Sequence, residues 1–314
     1  MIPSCLSSEL KKQLIERKIM DWEYDLIRLY VLICDYYDQE LWVHCQRMSN
    51  HSDLSFSDEE AISIYLYGII EKRRNVKEIY DFTHKHLRAF FPQLANYEGY
   101  VQRLNQLSGV FIPLVSRLQE ALPTLNVLQE IGLMDSMPIS LAKAQRSSSA
   151  KVAPEFANKG YCASKGLYYY GVKVHLLGLR RPGALPVPEY IGVTPASDHD
   201  LTTFREIQPY LYNRELFLDK AYADELLKEE AKAQQNLILW TPVKKKKGQK
   251  YLAVHDQWLS TAVSRVRQPI ESLFNWIEEK TGIQSAAKVR SYKGLLVHVF
   301  GRLAAALFIM AFSS

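Results

Sequence analysis

The chain has 314 residues, 47% of them hydrophobic, which is enough for one large domain and a smaller one. Its four cysteines, Cys5, Cys34, Cys45 and Cys162, include no closely spaced pair, so the sequence suggests neither a disulfide framework nor a CxxC zinc site. The N-terminus lacks a signal-peptide pattern, so we expect a reducing, cytoplasmic setting.

The formal net charge is only +5, but it is unevenly distributed. Residues 1–120 carry 14 Lys and Arg against 17 Asp and Glu, whereas residues 121–314 carry 25 against 17. Between Lys143 and Arg181 there are eight basic residues and one acidic residue, Glu155. This stretch indicates either a phosphate-rich partner or a basic loop without one.

The first part of the chain is predicted to be a helical domain over residues 1–121. Apolar residues recur at helical spacing over 9–34, from Leu10 and Leu14 to Ile33. Ser57 and Glu60 form a capping-box pattern that predicts a second helix, and a third is expected over Val76–Thr83. The domain could be a DNA-reading helix-turn-helix or a packing and dimerisation domain.

From residue 122 to 314 the pattern predicts a mixed α/β domain, a sheet with helices packed on it. Strands are expected over 127–134, 168–177, 190–193, 216–218 and 237–242, with a loop over 141–166. Helices are expected over about 201–209, with Asp200 as its N-cap, and over 224–235 and 259–280. The apolar run Gly294–Phe312 contains His298 and Arg302, so it indicates a buried helix covering the sheet rather than a membrane span.

Three acidic residues are candidates for metal binding. Asp135 and Asp219 each follow an apolar strand, at the edge where α/β proteins place ligands, and Glu271 lies on the late helix. Two carboxylates about 4 Å apart repel by about 4 kcal/mol at an effective dielectric of 20, so such a cluster needs protons or a cation. Divalent ions with oxygen ligands suit it.

Four segments resemble the DDE transposases of bacterial insertion sequences, in particular the group called nine-eight-two. They are LMDSMP around Asp135, GYCASKGLYYYGVKVHLLG over 160–178, FLDKAYAD around Asp219, and RVRQPIESLFNWIEEKTGI over 265–283. They occur in the family's order, and the likeness covers about residue 125 to the C-terminus. The N-terminal third matches more loosely.

The resemblance implies an RNase H-like fold with the catalytic and metal-binding triad Asp135, Asp219 and Glu271. It also implies Mg²⁺ or Mn²⁺, as two ions, and metal-dependent cleavage at element ends followed by strand transfer into target DNA. The implied partners are the terminal inverted repeats, target DNA and further copies of the chain, in the cytoplasm at the bacterial nucleoid.

Two departures from related enzymes are present on the last helix. A related group has Tyr and Lys where this chain has Ser264 and Glu278, which indicates a different subgroup. Pro269 predicts that the helix starts or bends there, in which case Glu278 or Glu279 could be the third ligand.

Several basic residues are candidates for contacts with DNA, the alternative being ordinary surface charge or, for the lysine run, a disordered loop. They are Lys159, Lys165, Lys173, His175, Lys244, Lys245, Lys246, Lys247 and Arg267. Lys173 and His175 are expected on the outward face of their strand. Two other functions remain open: a structure-selective nuclease of the same fold, and a transposase-derived DNA-binding protein without catalysis.

Overall fold

The computed structural model describes residues 22–45, 55–162, 166–245 and 248–312. The chain forms two compact units. The helical unit comprises residues 1–121, 280–283 and 288–314, and the α/β unit comprises residues 122–279 and 284–287. The predicted fold class, a mixed α/β sheet flanked by helices with an N-terminal helical region, is confirmed.

In chain order the helices and strands are α1 Trp22–Gln39, α2 Asp58–Ile70, α3 Val76–His86, α4 Tyr97–Gln106, α5 Phe111–Glu120, β1 Leu128–Ala142, β2 Asn158–Cys162, β3 Leu167–Arg180, β4 Val187–Pro195, α6 Asp200–Ile207, β5 Arg214–Phe217, α7 Glu225–Gln235, β6 Leu237–Trp240, α8 Val254–Thr281 and α9 Tyr292–Phe312.

The helical unit forms as its apolar spacing predicts. Leu26, Leu29 and Ile33 of α1 are buried, while residues 9–21 of the predicted first helix lie outside the described residues. The capping box is present: the Ser57 hydroxyl accepts from the Glu60 backbone N–H, and the Glu60 carboxylate accepts from the Ser57 N–H. The third helix begins at Val76 as predicted and ends at His86, later than expected.

Helix α9 is buried, but its main neighbours are α2 and α5 of the helical unit. The prediction that it covers the sheet is therefore wrong, and the contacts group residues 288–314 with the helical unit rather than with the rest of 122–314. By length and composition α9 could span a membrane, but 72% of its most apolar 18-residue stretch is buried in the fold. A helix that is apolar on nearly every side needs partners on every side, and helices of the helical unit supply them.

The charged centre of α9 is satisfied inside the helical unit. The Arg302 guanidinium donates to the backbone carbonyls of Thr281 and Arg74 and to the ring of His298. The other ring nitrogen of His298 lies 2.9 Å from the carbonyl oxygen of Ile283. Burial, and then the charge of Arg302, lowers the pKa of His298 to about 3, so the imidazole is neutral at pH 7.

The α/β unit contains a six-stranded sheet ordered β2-β3-β1-β5-β6, with β4 paired to β3. Strands β1, β5 and β6 are parallel, whereas β3 runs antiparallel to β1, β2 and β4. One face packs on α6 and α7 through a cluster that includes Met134, Leu177, Leu216 and Phe204. The other face packs on α8, where a side chain on Gly178 would lie 3.2 Å from Ile270 Cδ1.

Several predicted boundaries of the α/β unit are wrong. Strand β1 continues through Asp135 to Ala142, because Met137, Ile139 and Leu141 keep the alternating burial of a strand. The predicted loop over 141–166 contains β2. The N-cap of α6 is His199, since the Asp200 carboxylate binds Lys173 instead of the helix backbone. Helix α8 continues through Pro269 rather than starting there.

Candidate active site

Asp135 and Asp219 lie at matching positions of two neighbouring parallel strands. Ile131 pairs with Glu215 and Leu133 with Phe217, and one further two-residue step leads to Asp135 on β1 and Asp219 just beyond β5. Residues two apart on a strand point to the same face, so both acids lie on the face that carries Leu133 and Phe217. The Asp219 charge contributes to raising the pKa of Asp135.

Helix α8 brings the third acid to the same face. Arg267 and Glu271 are four residues apart and therefore neighbours on one side of the helix. The Arg267 guanidinium donates to a carboxylate oxygen of Asp135 and to one of Glu271. Although 132 residues separate Arg267 from Asp135 in the chain, the packing of Ile270 on Gly178 positions the helix so that they meet.

The electrostatics of this group are set by the burial of Asp135, whose side chain is 22% exposed. Burial raises the pKa of Asp135 from 3.8 to about 6. Two contacts act in the opposite direction: the charge of Arg267, and the Ser136 N–H, which donates to the Asp135 carboxylate at 2.8 Å. Burial lowers the pKa of Arg267, but the charges of Asp135, Glu271 and Asp219 outweigh it and raise that pKa above its ordinary value. A single cation thus interacts with all three acids.

The donors of this group have the chemistry that a divalent ion requires. Carboxylate oxygens are preferred by Mg²⁺ and Mn²⁺, and the three acids already hold one positive charge between them. In the described part of the chain, however, no group of three or more His, Cys, Asp or Glu side chains is arranged to hold a metal ion. The type and charge of these ligands therefore fit a divalent metal ion. Their side-chain positions, however, are those of carboxylates that accept hydrogen bonds from Arg267.

The family model described as a transposase DDE domain matches residues 126–290, which is just over half of the chain. The chain belongs to the transposase DDE family. No curated protein and no solved structure matches it. The match spans β1 to the end of α8 and so includes Asp135, Asp219 and Glu271.

Two of the predicted DNA contacts in this transposase are not on an outward face. His175 is fully buried, with Nε2 2.9 Å from the Thr194 hydroxyl, and burial lowers its pKa to about 4. The Lys173 ammonium donates to the Asp200 carboxylate at 2.8 Å and to the Asp198 carbonyl. The predicted exposure is wrong because β3 is an inner strand and the N-terminus of α6 covers this face.

The other basic candidates differ in their surroundings. Lys159 is exposed on β2, with its ammonium 4.7 Å from the centre of the Tyr168 ring. The exposed Lys244 and Lys245 donate to the backbone carbonyls of Ala223 and Lys250. Three further candidates, Lys165, Lys246 and Lys247, lie outside the described residues. Arg267 instead donates to the carboxylates of Asp135 and Glu271.

Tyr222 was missed by the sequence reasoning. It is buried, three residues after Asp219, and its hydroxyl has no hydrogen-bond partner in the described part of the transposase. Burial raises the pKa of Tyr222 well above 10, with further contributions from Asp200, Asp135 and Asp219. The hydroxyl is therefore neutral, and the charges of these acids reach it. Its place in FLDKAYAD was the only available signal.

Proposed function

We propose that this transposase cuts DNA at the ends of an insertion sequence of the nine-eight-two group and joins those ends to target DNA. Asp135, Asp219 and Glu271 are the proposed catalytic acids. The observation that carries this proposal is their common interaction with Arg267, since the acids come from two strands and a helix that are distant in the chain. Glu278, the alternative third acid, instead accepts from the Gln284 N–H at 2.8 Å.

Two Mg²⁺ or Mn²⁺ ions would be held by the carboxylates of Asp135, Asp219 and Glu271. Such ions, when bound, supply charge stabilisation to the attacking and leaving oxygens of an in-line displacement. In the first reaction a water oxygen bonds to phosphorus and the bond to the 3′ oxygen breaks, which leaves a 3′-hydroxyl. In the second, that hydroxyl bonds to a target phosphorus and displaces a target 3′ oxygen.

The residues of the chain have separate tasks in this scheme. Asp135 is fixed by β1, which pairs with β3 and β5, and therefore defines the position of the reacting phosphate. Glu271 has a side chain that is 49% exposed, so it can turn towards the water that attacks. Arg267 neutralises the acids until ions and DNA replace it as their counter-charge.

The division of labour between the two parts of the chain is also proposed. Residues 1–121 would bind the terminal inverted repeats, mediate dimerisation, or both, and the catalytic domain would begin at residue 122. An assembly of at least two copies would hold the two element ends together at the nucleoid.

A cleavage and strand-transfer assay tests the proposal. Purified protein is mixed with labelled duplexes that carry the element's own ends and with a target plasmid, in Mg²⁺ or in EDTA. Asp135→Asn, Asp219→Asn and Glu271→Gln should each reduce cleavage by about a thousandfold or more, the scale for members of one catalytic unit. Binding to the duplex should persist in all three.

Glu230→Gln is the matched control, because Glu230 is an exposed acid on α7. It should cut and join at the wild-type rate. Cleavage without joining by the wild type would favour the nuclease, and binding without cleavage would favour the non-catalytic DNA-binding protein. Wild-type rates in Asp135→Asn would refute the assignment of the acids.

A further inference from the structure

Two exposed tyrosines and a lysine lie together on the β2–β3 hairpin. Tyr161 and Tyr168 are cross-strand partners, with ring centres 5.0 Å apart and an interplanar angle of 55°. Their exposed fractions are 54% and 53%. The Lys159 ammonium lies over the Tyr168 ring. Lys159, Tyr161 and Tyr168 are called the tyrosine patch below.

The tyrosine patch is not part of the buried core of the β2–β3 hairpin. Cys162, Tyr169 and Ala196 form a buried cluster, and the alternation of the strands places that cluster on the opposite face from Tyr168. The two exposed rings therefore keep about half of their surface in water, where a flat aromatic ligand could cover it.

The segment before β2 adds positive charge. Lys143, Arg146 and Lys151 are exposed, as is Lys159, and none of the four forms an ion pair with any described residue. Glu155 is the single acid between Lys143 and Tyr168. Lys159 beside the exposed aromatic rings, together with the cations of the segment before β2, is complementary to a nucleic acid, in which phosphates adjoin flat bases.

The tyrosine patch lies on the same face of the sheet as Asp135. Asp135 pairs with Leu176 on β3, and residues 176, 174, 172, 170 and 168 alternate regularly to one face. The eight residue-to-residue steps from Leu176 to Tyr168 span about 26 Å at the rise of a strand. On DNA this corresponds to about eight nucleotides.

We infer that the tyrosine patch binds an unpaired nucleotide of the DNA substrate, on the order of eight nucleotides from the reacting phosphate. A base stacks on Tyr161 or Tyr168, and Lys159 with the neighbouring cations contacts the backbone. An intact duplex cannot offer this contact, because its bases are stacked on one another. The inference rests on the proposed function, since it concerns the DNA on which the acids act.

The test compares two DNAs of the same sequence, a blunt duplex and a duplex with a single-stranded tail, by fluorescence anisotropy in EDTA. The double variant Tyr161→Ala/Tyr168→Ala should bind the tailed DNA about tenfold more weakly, or about 1.4 kcal/mol. Its affinity for the blunt duplex should change less than twofold. The double Phe variant should retain wild-type affinity for both DNAs, because the rings remain.

Tyr212→Ala is the matched control, since Tyr212 is 54% exposed elsewhere in the α/β unit. It should leave both affinities unchanged. In the wild type, 2-aminopurine moved along the tail should be quenched most strongly at one position, and the Phe variant should keep that maximum. This measurement remains informative even if the Ala variant does not fold.

The outcomes separate the two proposals. A wild type that binds neither DNA refutes the proposed function. The stacking site alone is refuted by any of three results. The Ala variant loses affinity equally for blunt and tailed DNA, it loses affinity for neither, or the wild type shows no quenching maximum along the tail. A protein or a duplex as the true occupant would give one of these results.

Discussion

Asp135 should destabilise the metal-free fold, and replacing it with asparagine should therefore make the protein more stable. Folding raises the pKa of Asp135 from 3.8 to about 6, chiefly by burial, so the folded state binds the proton more tightly than the unfolded chain does. Compared with its ionised form, protonated Asp135 stabilises the fold. This stabilisation is fully present below pH 3.8 and is lost as the pH rises through about 6.

The size of the effect follows from the same values. A tenfold change in a protonation equilibrium is worth about 1.4 kcal/mol, and the change at Asp135 is roughly hundredfold, so the penalty at pH 8 is about 3 kcal/mol. Asparagine has the shape of the protonated acid and no charge. Asp135→Asn should therefore raise the free energy of unfolding by up to about 3 kcal/mol at pH 8 and by almost nothing at pH 4.

Urea unfolding of the full chain in EDTA, followed by far-UV circular dichroism between pH 4 and pH 8, measures this difference. Glu230→Gln serves as the control, and a change within about 0.5 kcal/mol is expected for such an exposed site. An Asp135→Asn variant that is less stable than the wild type at pH 8 would refute the reasoning. It would mean that the ion pair with Arg267 outweighs the burial of the carboxylate.

Three further results are expected. Arg267→Ala should lower the free energy of unfolding in EDTA by about 2 kcal/mol, less than for a fully buried pair, and Mn²⁺ should raise its melting temperature more than that of the wild type. Tyr222→Phe should keep or increase stability by up to about 1 kcal/mol in urea unfolding, because its hydroxyl has no partner among described residues. Lys244→Ala/Lys245→Ala should reduce the log–log salt slope of DNA binding by about 0.9 per lost phosphate contact, and an unchanged slope would exclude both lysines.

Local patterns were sufficient to predict the two strands that lead to Asp135 and Asp219. The apolar run before Asp135 and the stub before Asp219 predicted two strands, and the register shows that they are parallel neighbours. The continuation of β1 to Ala142 was missed, although Met137, Ile139 and Leu141 alternate there. Pro138 obscured the pattern, because proline is uncommon inside a sheet. It is tolerated here because it lies beyond Leu133, where pairing with β5 ends, so β5 needs no hydrogen bond from its backbone nitrogen.

Contacts between distant segments could not be predicted in the same way. The alternation of β3 correctly separated Lys173 and His175 from the valines, but it contains no information about the helix that covers their face. The four-residue spacing of Arg267 and Glu271 was visible, whereas the contact of Arg267 with Asp135 depends on how α8 crosses the sheet. Similarly, the composition of α9 predicted its burial but not its partners.

The three acids are held with different rigidity, and this order bears on how the site would accept ions. Asp135 lies within β1 and pairs with Leu176 of β3, whereas Asp219 follows the last residues of β5 and Glu271 is about half exposed on α8. A guanidinium can exchange with a metal ion only if some of its ligands move, and the side chain with the most access to water moves at the least cost. In the proposed scheme Asp135 would therefore be the fixed point of the site and Glu271 its adjustable ligand, and Arg267 would preserve charge balance until the exchange.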